Sequence, residues 1–312
     1  MTTDGARDAA TARVRVLSLL PAATEIVAAL GAFGQLVGVT HECDHPAGAA
    51  RLPRVTSSAV DREASSGAID AEVRALATSG AAVFALDVEL VARLAPDLVI
   101  TQSVCDVCAI AESDVDRTMA ALATPARRLT LGATTLEGVW EDVRRVAEAV
   151  GRRAEGEALV ASLAVRMRRV HETLKAVRAR RPRVAVIEWL DPVFAAGHWT
   201  PELVRRAGGV DVLAEPGAHS VVVTVDAVRE AAPDLLLFAP CGFDVERAER
   251  EARALLATPD WAWAAEVEAW AIDGNALTSR PGPRLVDAIE VMASIFAPTL
   301  FEAPDGRYAR RL

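Results

Sequence analysis

The stretch Ala95–Cys108, APDLVITQSVCDVC, is nearly restated from Ala232 to Cys241 as APDLLLFAPC. In each copy an Ala-Pro-Asp turn leads into a short apolar run that reads as a buried strand, and the run ends at a cysteine. A chain that repeats such a unit is expected to fold as two related halves. In an open α/β sheet, a strand of this kind delivers the residues after its carboxyl end to the crevice where ligands bind. The cysteines are therefore expected at that crevice.

At 312 residues the chain is long enough for two cores of about 130 residues each. The alternation of elements supports that division. Arg13–Leu19 reads as a strand, and Pro21–Leu30 has the apolar spacing of a helix closed by Gly31. Leu36–Val39 is a second strand, emptying into the polar run His41-Glu42-Cys43-Asp44-His45-Pro46. Residues 70–79 suggest a short helix or turn. Helical spacing over 88–94, 115–123 and 135–149, with strands after Asp97 and over 128–131, completes a first lobe spanning 13–152.

From 153 to 180 the apolar positions Leu159, Leu163, Met167, Val170, Leu174 and Val177 repeat as on one helix, a rod of roughly 35–40 Å. A rod of this length between lobes restricts hinge motion, where a Gly/Ser linker would leave them free. The second lobe, 181–306, opens with strand 183–189 and the loop AAGHW, followed by a helix capped by Thr200 with Pro201 at its first position. The repeated strand, a helix over 244–257, a strand over 270–273 and a helix over 283–296 follow, and the basic tail 307–312 is expected to be loose. The expected fold class is α/β, two Rossmann-like lobes joined by one long rigid helix, with a ligand cleft between them.

Composition narrows the function. With 52% hydrophobic and 25% charged residues the chain reads as globular, and its net charge of −9 disfavours a nucleic-acid partner. No apolar run approaches the roughly 18 residues needed to insert in a bilayer. The leading MTTDGARDAATA is polar and acidic without the apolar core of a secretory signal, which reads as cytoplasmic; removal of an export signal would make the protein periplasmic. The sequence has no GxGxxG after a strand, no GxxxxGK[ST], no GxSxG and no HExxH, so no catalytic residue is assigned.

The strand-end loops hold the candidate chemistry. Cys105 and Cys108 have the spacing that lets two thiolates reach one metal, and Cys43 and Cys241 could complete a four-thiolate shell for zinc or an iron–sulfur cluster. Buried structural thiols are the alternative, and a redox CxxC pair lacks its thioredoxin-like context. His41, His45, His198 and His219 are loop residues able to ligate metal or to stand in solvent, with His41 and His198 best placed at the cleft. Trp189 and Trp199 flank one loop as a flat apolar wall or as core packing. Arg280 precedes the last helix, where its guanidinium would meet an anionic or amide-bearing ligand or water.

The segments PAATEIVAALG, GVTHECDHP, LPRVTSS, APDLVITQ, AGHW, PELV, AGG and SRPGPRLVDAIE together resemble the cobalamin-binding members of the ABC-transporter substrate-binding proteins, over nearly the whole chain. The resemblance implies two α/β lobes on one rigid helix, a corrinoid held between them, and no catalysis. By position it implies that Pro21 and Thr24 belong to a first-lobe ligand loop, Glu42 and its neighbours to the next, and Arg280 to the second-lobe ligand loop. It also implies that Glu89 and Glu202 match acidic surface positions which, in transporter-linked members, pair with arginines of the membrane permease. Three readings follow: binding of cobalamin or a related metal-chelate, a metalloprotein with an iron–sulfur cluster or zinc on four cysteines, or the binding component of an ABC transporter for vitamin B12 or an iron chelate.

Overall fold

In each half an arginine opens the first strand by clamping the Ala-Pro-Asp turn. The Arg15 main-chain N–H donates to Asp97 Oδ2 at 2.9 Å, and its guanidinium donates to Leu94 O at 2.7 Å and Ala95 O at 3.1 Å. Arg183 repeats the pattern, to Asp234 Oδ2 at 2.8 Å, Ala231 O at 2.6 Å and Ala232 O at 3.0 Å. Both alanines of the turns are left-handed, with φ of +41° at Ala95 and +44° at Ala232. The repeat read from the sequence is thus a repeat of hydrogen bonds.

The computed structural model describes residues 13–104 and 110–312. The first sheet runs Leu36–Gly38, Val16–Ser18, Leu98–Gln102 and Arg127–Leu131 in spatial order, all parallel. At the centre of the second, the parallel strands Val210–Asp211, Arg183–Leu190, Leu235–Phe238 and Glu268–Ile272 pair in that order. Central strands buried on both faces explain the unbroken apolar runs, as in LLLF over 235–238. Sequence order and parallel pairing give two doubly wound lobes.

Between them Arg153–Ala176 forms one helix of 24 residues, about 36 Å long. Its buried residues Val160, Leu163 and Val170 join a single apolar core that takes in Val16, Ile26 and Ile100 of the first lobe and Val184, Leu237 and Ile289 of the second. Arg166 fixes the rod to the last helix, Leu285–Phe296, through Glu290 at 2.9 Å and Asp287 at 2.6 Å. Among the described residues no helix is long and apolar enough to cross a membrane.

Several local expectations change. The tail is not loose: Ala309–Arg311 pairs antiparallel with Glu268–Ile272, Arg310 bonds Glu246 and Glu249, and the Leu312 N–H reaches Ala269 O at 2.9 Å. The tail strand covers a sheet edge that would otherwise be open. Val193–Ala195 and Val221–Val222 add antiparallel strands at the opposite edge, and Thr56–Ser58 pairs with Phe84–Leu86 in a small separate ladder. The helix at Thr200–Arg206 is capped by Trp199, so Thr200 already belongs to its first turn. Ser66–Ser79 is a full helix with Ser65 as its cap, longer than the turn expected at 70–79.

Candidate functional site

The surfaces that face each other between the lobes are held together by one buried guanidinium. Arg280 lies in the loop between Gly274–Leu277 and Leu285–Phe296, and helix Pro21–Ala29 of the first lobe presents Glu25 to it. Arg280 Nη1 donates to Glu25 Oε1 at 2.9 Å and also to Asp44; Nη2 donates to Asp44 Oδ2 at 2.9 Å, Asn275 Oδ1 at 2.7 Å and Glu42 O at 3.2 Å. Arg284 adds a second cation to Glu25, with Nε at 2.8 Å from Oε2. Burial by itself lowers the Arg280 pKa, but the bond to Asp44 and the charges of Asp44 and Glu25 outweigh it and raise the pKa. Burial likewise works against the Asp44 carboxylate, and Arg280 more than reverses that effect, leaving its pKa lowered.

The lobes also touch at two further places. The helix at Ser66–Ser79 leans on the second lobe, where Ile69 packs against the cluster of Phe243, Ala248 and Ala271. At the entry to that helix Glu251 Oε2 accepts from the Ser66 N–H at 3.1 Å, and Arg247 donates to the Arg62 and Ala64 carbonyls while its guanidinium lies 3.5 Å from the Phe243 ring centroid. On the other flank Glu202 Oε2 accepts from the Leu136 N–H at 3.1 Å, at the start of helix Leu136–Ala149. A carboxylate there satisfies an orphan helix donor and meets the positive end of the helix. That Glu202 is only 12% exposed corrects its expected surface position. Glu89, by contrast, is 92% exposed and stands 4.0 Å from Arg93.

The expected ligand residues separate into two groups. Pro21 is half-buried at the first turn of its helix, and Glu42 faces Arg62 at 3.8 Å. Trp189 is half-buried, its indole N–H on Asp191 O at 3.1 Å and its ring edge-on to Phe243 at 5.3 Å. His41 is half-buried, with Nδ1 2.7 Å from Thr56 Oγ1 and a buried Nε2 that has no hydrogen-bond partner; burial lowers its pKa. His198 is half-buried beside the exposed His219. These side chains keep surface to offer.

Others are consumed by the fold. Thr24 is fully buried, 2.9 Å from Ser18 Oγ and 3.2 Å from Cys43 Sγ. Trp199 is 7% exposed and its indole N–H is spent on Thr278 O at 2.8 Å, so it is core packing and not a cleft wall. Cys43 is fully buried between the hydroxyls of Thr24 and Thr40, and burial raises its thiol pKa. A protonated thiol sealed in this way does not fit a thiolate ligand, which breaks the expected four-cysteine shell. Cys241 is exposed, and Cys105 and Cys108 lie outside the described residues. Among the described residues no group of three or more His, Cys, Asp or Glu is placed to hold a metal ion.

Glu25, Asn275, Arg284, Arg247 and Phe243 were missed as a set, and Asp44 entered only as a neighbour of Glu42. The available signal was the pairing of one acid in an otherwise apolar helix, Glu25, with two arginines four apart, Arg280 and Arg284, in the loop before another.

The family model described as "Periplasmic binding protein" matches residues 16–265. A vitamin B12-binding protein of Vibrio cholerae is 24% identical over 284 residues, 88% of this chain and 86% of the relative. Among solved structures, a periplasmic haem-binding protein from Pseudomonas aeruginosa superposes with a TM-score of 0.71 at 20% identity, covering 96% of this chain and 95% of that one. The periplasmic vitamin B12-binding protein of Vibrio cholerae superposes with a TM-score of 0.63 at 20% identity, covering 91% and 96%.

Proposed function

Because the chain belongs to the periplasmic binding protein family, we propose that it binds a metal-centred macrocycle, in the first place a corrinoid, between its lobes. The observation that carries this reading is a relative that is a vitamin B12-binding protein and aligns along 88% of the chain. Neighbours of the same fold that bind haem make a porphyrin the next ligand to try. The half-buried Pro21, His41, Glu42, Trp189 and His198 are the proposed lining, with Arg280 supporting the polar side through Asp44 and Glu42. A large rigid ligand suits a cleft with an aromatic wall and a few fixed polar groups.

The lobes touch through Arg280, Arg247 and Ile69, so a macrocycle enters only if some of these contacts open. Affinity in such a protein is what remains after that opening. We place the protein outside the cytoplasm, as the binding component of an ABC importer, with the exposed Glu89 as a docking contact for the permease. The family description and the two superposed binding proteins, all periplasmic, support this location over the cytoplasm expected from the leading residues.

The test is titration of the purified chain with cyanocobalamin and, separately, haemin, followed by tryptophan fluorescence and visible absorbance. Saturable one-to-one binding of cyanocobalamin, weakened by Trp189→Ala, is the expected result. Binding of haemin alone would transfer the assignment to porphyrins, and binding of neither would refute it.

A further inference from the structure

Two main-chain segments of the second lobe are pinned together so that two imidazoles meet. The His198 N–H donates to Ala218 O at 2.6 Å, and His198 O accepts from the Gly217 N–H at 2.8 Å. Gly197 approaches the same segment so closely that a Cβ on it would lie 2.4 Å from Ser220 N and 2.7 Å from the His219 carbonyl carbon. His198 holds φ at +55°, a left-handed conformation that non-glycine residues adopt only where their surroundings enforce it. This clamp leaves Nε2 of His198 3.3 Å from Nδ1 of His219, with the ring planes at 89°.

That spacing is long for a hydrogen bond to a ring nitrogen, and it matches two ligands of one ion. Imidazole nitrogens at about 2.0–2.1 Å from a tetrahedral zinc stand about 3.3–3.4 Å apart. His219 is exposed and His198 half-buried, which leaves the pair open to an ion from solution. Neutral imidazole favours zinc, nickel or copper over magnesium or calcium.

We propose that His198 and His219 form a two-imidazole binding site for a divalent late first-row transition ion. Among the described residues no third side chain completes the shell. The remaining coordination positions therefore go to water or to donor atoms of a bound small molecule. The site shares His198 with the proposed lining of the cleft, so it is tested with zinc alone and no macrocycle present.

The test uses the untagged full chain and zinc alone, in competition with a chromophoric chelator, with the Cys105→Ser/Cys108→Ser chain in parallel so that thiolate binding is seen separately. One zinc per chain is expected in both. Loss of an outer-sphere partner alone weakens a metal site by about 10- to 100-fold, so His219→Ala, which removes an exposed ligand, is expected to cost at least tenfold. His198→Asn, a residue that tolerates the left-handed backbone, is expected to do the same with an unchanged melting temperature, while His171→Ala, at an exposed imidazole on the connecting helix, leaves affinity unaltered. Zinc affinity unchanged in His219→Ala, or zinc binding that disappears only with the cysteines, would overturn the site.

Discussion

Arg280 Nη1 of the second lobe donates to Glu25 Oε1 of the first at 2.9 Å, with the two side chains only 4% and 3% exposed. A buried pair of this kind adds little net stability against an apolar replacement, yet removing one partner strands the other charge away from water. Arg280→Ala is expected to lose about 1–3 kcal/mol in urea unfolding, because the partly exposed Asp44 loses its cation and the buried Glu25 is left with Arg284 alone. Arg280→Lys is expected to recover only part of this, since one ammonium cannot reproduce the planar fork that reaches Glu25, Asp44, Asn275 and Glu42 O. An Arg280→Ala protein as stable as its parent would show that the network carries no structural role.

Gly274 tests how tightly the loop bearing this arginine is set against the sheet. A Cβ at this position would stand 2.2 Å from Pro240 O and 2.9 Å from the Ala239 carbonyl carbon, both main-chain atoms that no rotamer change relieves. Gly274→Ala is therefore expected to destabilise by about 1–3 kcal/mol, the usual cost of forcing atoms into a packed site, and to weaken ligand binding more than an equally destabilising change far from the cleft. Chemical denaturation and the cyanocobalamin titration, run on the same preparation, check both parts.

Cys43 and Cys241 give a contrast that needs no ligand. Cys241 is exposed at the end of its strand, whereas Cys43 is sealed beneath Thr24 and Thr40 with its pKa raised by burial. Only the thiolate reacts readily, so iodoacetamide on the native protein is expected to label Cys241 promptly and Cys43 only after unfolding. Mass spectrometry of the two peptides separates the outcomes, and equal labelling rates would mean that Cys43 is reachable from the cleft.

What the sequence made legible follows period and punctuation. The APDL repeat and the strand-turn-helix at Pro21 depend on local pattern and lie where they were expected, whereas the connecting helix, expected over 153–180, ends at Ala176 with Val177 as its C-cap. Burial of polar residues depends on neighbours distant in the chain, and there the reading failed. Thr24 was expected at the ligand by the family resemblance, and Trp199, flanking a loop, as a cleft wall or as core packing; Ser18, Cys43 and Thr278 take up their polar atoms. Glu202 looks like any helix-surface acid until Leu136, 66 positions earlier, supplies the N–H that turns it inward. The tail 307–312 was expected to be loose on charge alone, and its Arg310 finds Glu246 and Glu249 on a helix whose proximity no local pattern signals.

Asp211 carries a pH dependence with a definite sign. It lies on the short strand Val210–Asp211, where Oδ1 accepts from the Leu213 N–H at 2.9 Å and the Ala214 N–H at 3.0 Å while the buried Oδ2 has no partner. Burial pushes its pKa from 3.8 up to about 6; the nearby Glu215 charge adds to this, and the two N–H bonds oppose it without prevailing. Between those values the folded chain keeps a proton that the unfolded chain has released. The group's contribution to stability is therefore greatest at the acid end, is lost as pH rises through about 6, and stays lost above that. Asp211→Asn retains the Oδ1 acceptor and cannot ionise. Its stability relative to the parent is expected to rise between pH 4 and pH 8, with most of the change complete by about pH 7. Asp273, also raised to about 6, titrates in both proteins and cancels in the difference. Urea unfolding of the pair at pH 4 and pH 8 decides it: a stability difference that is the same at both values would mean that Asp211 is already ionised in the folded chain at acid pH.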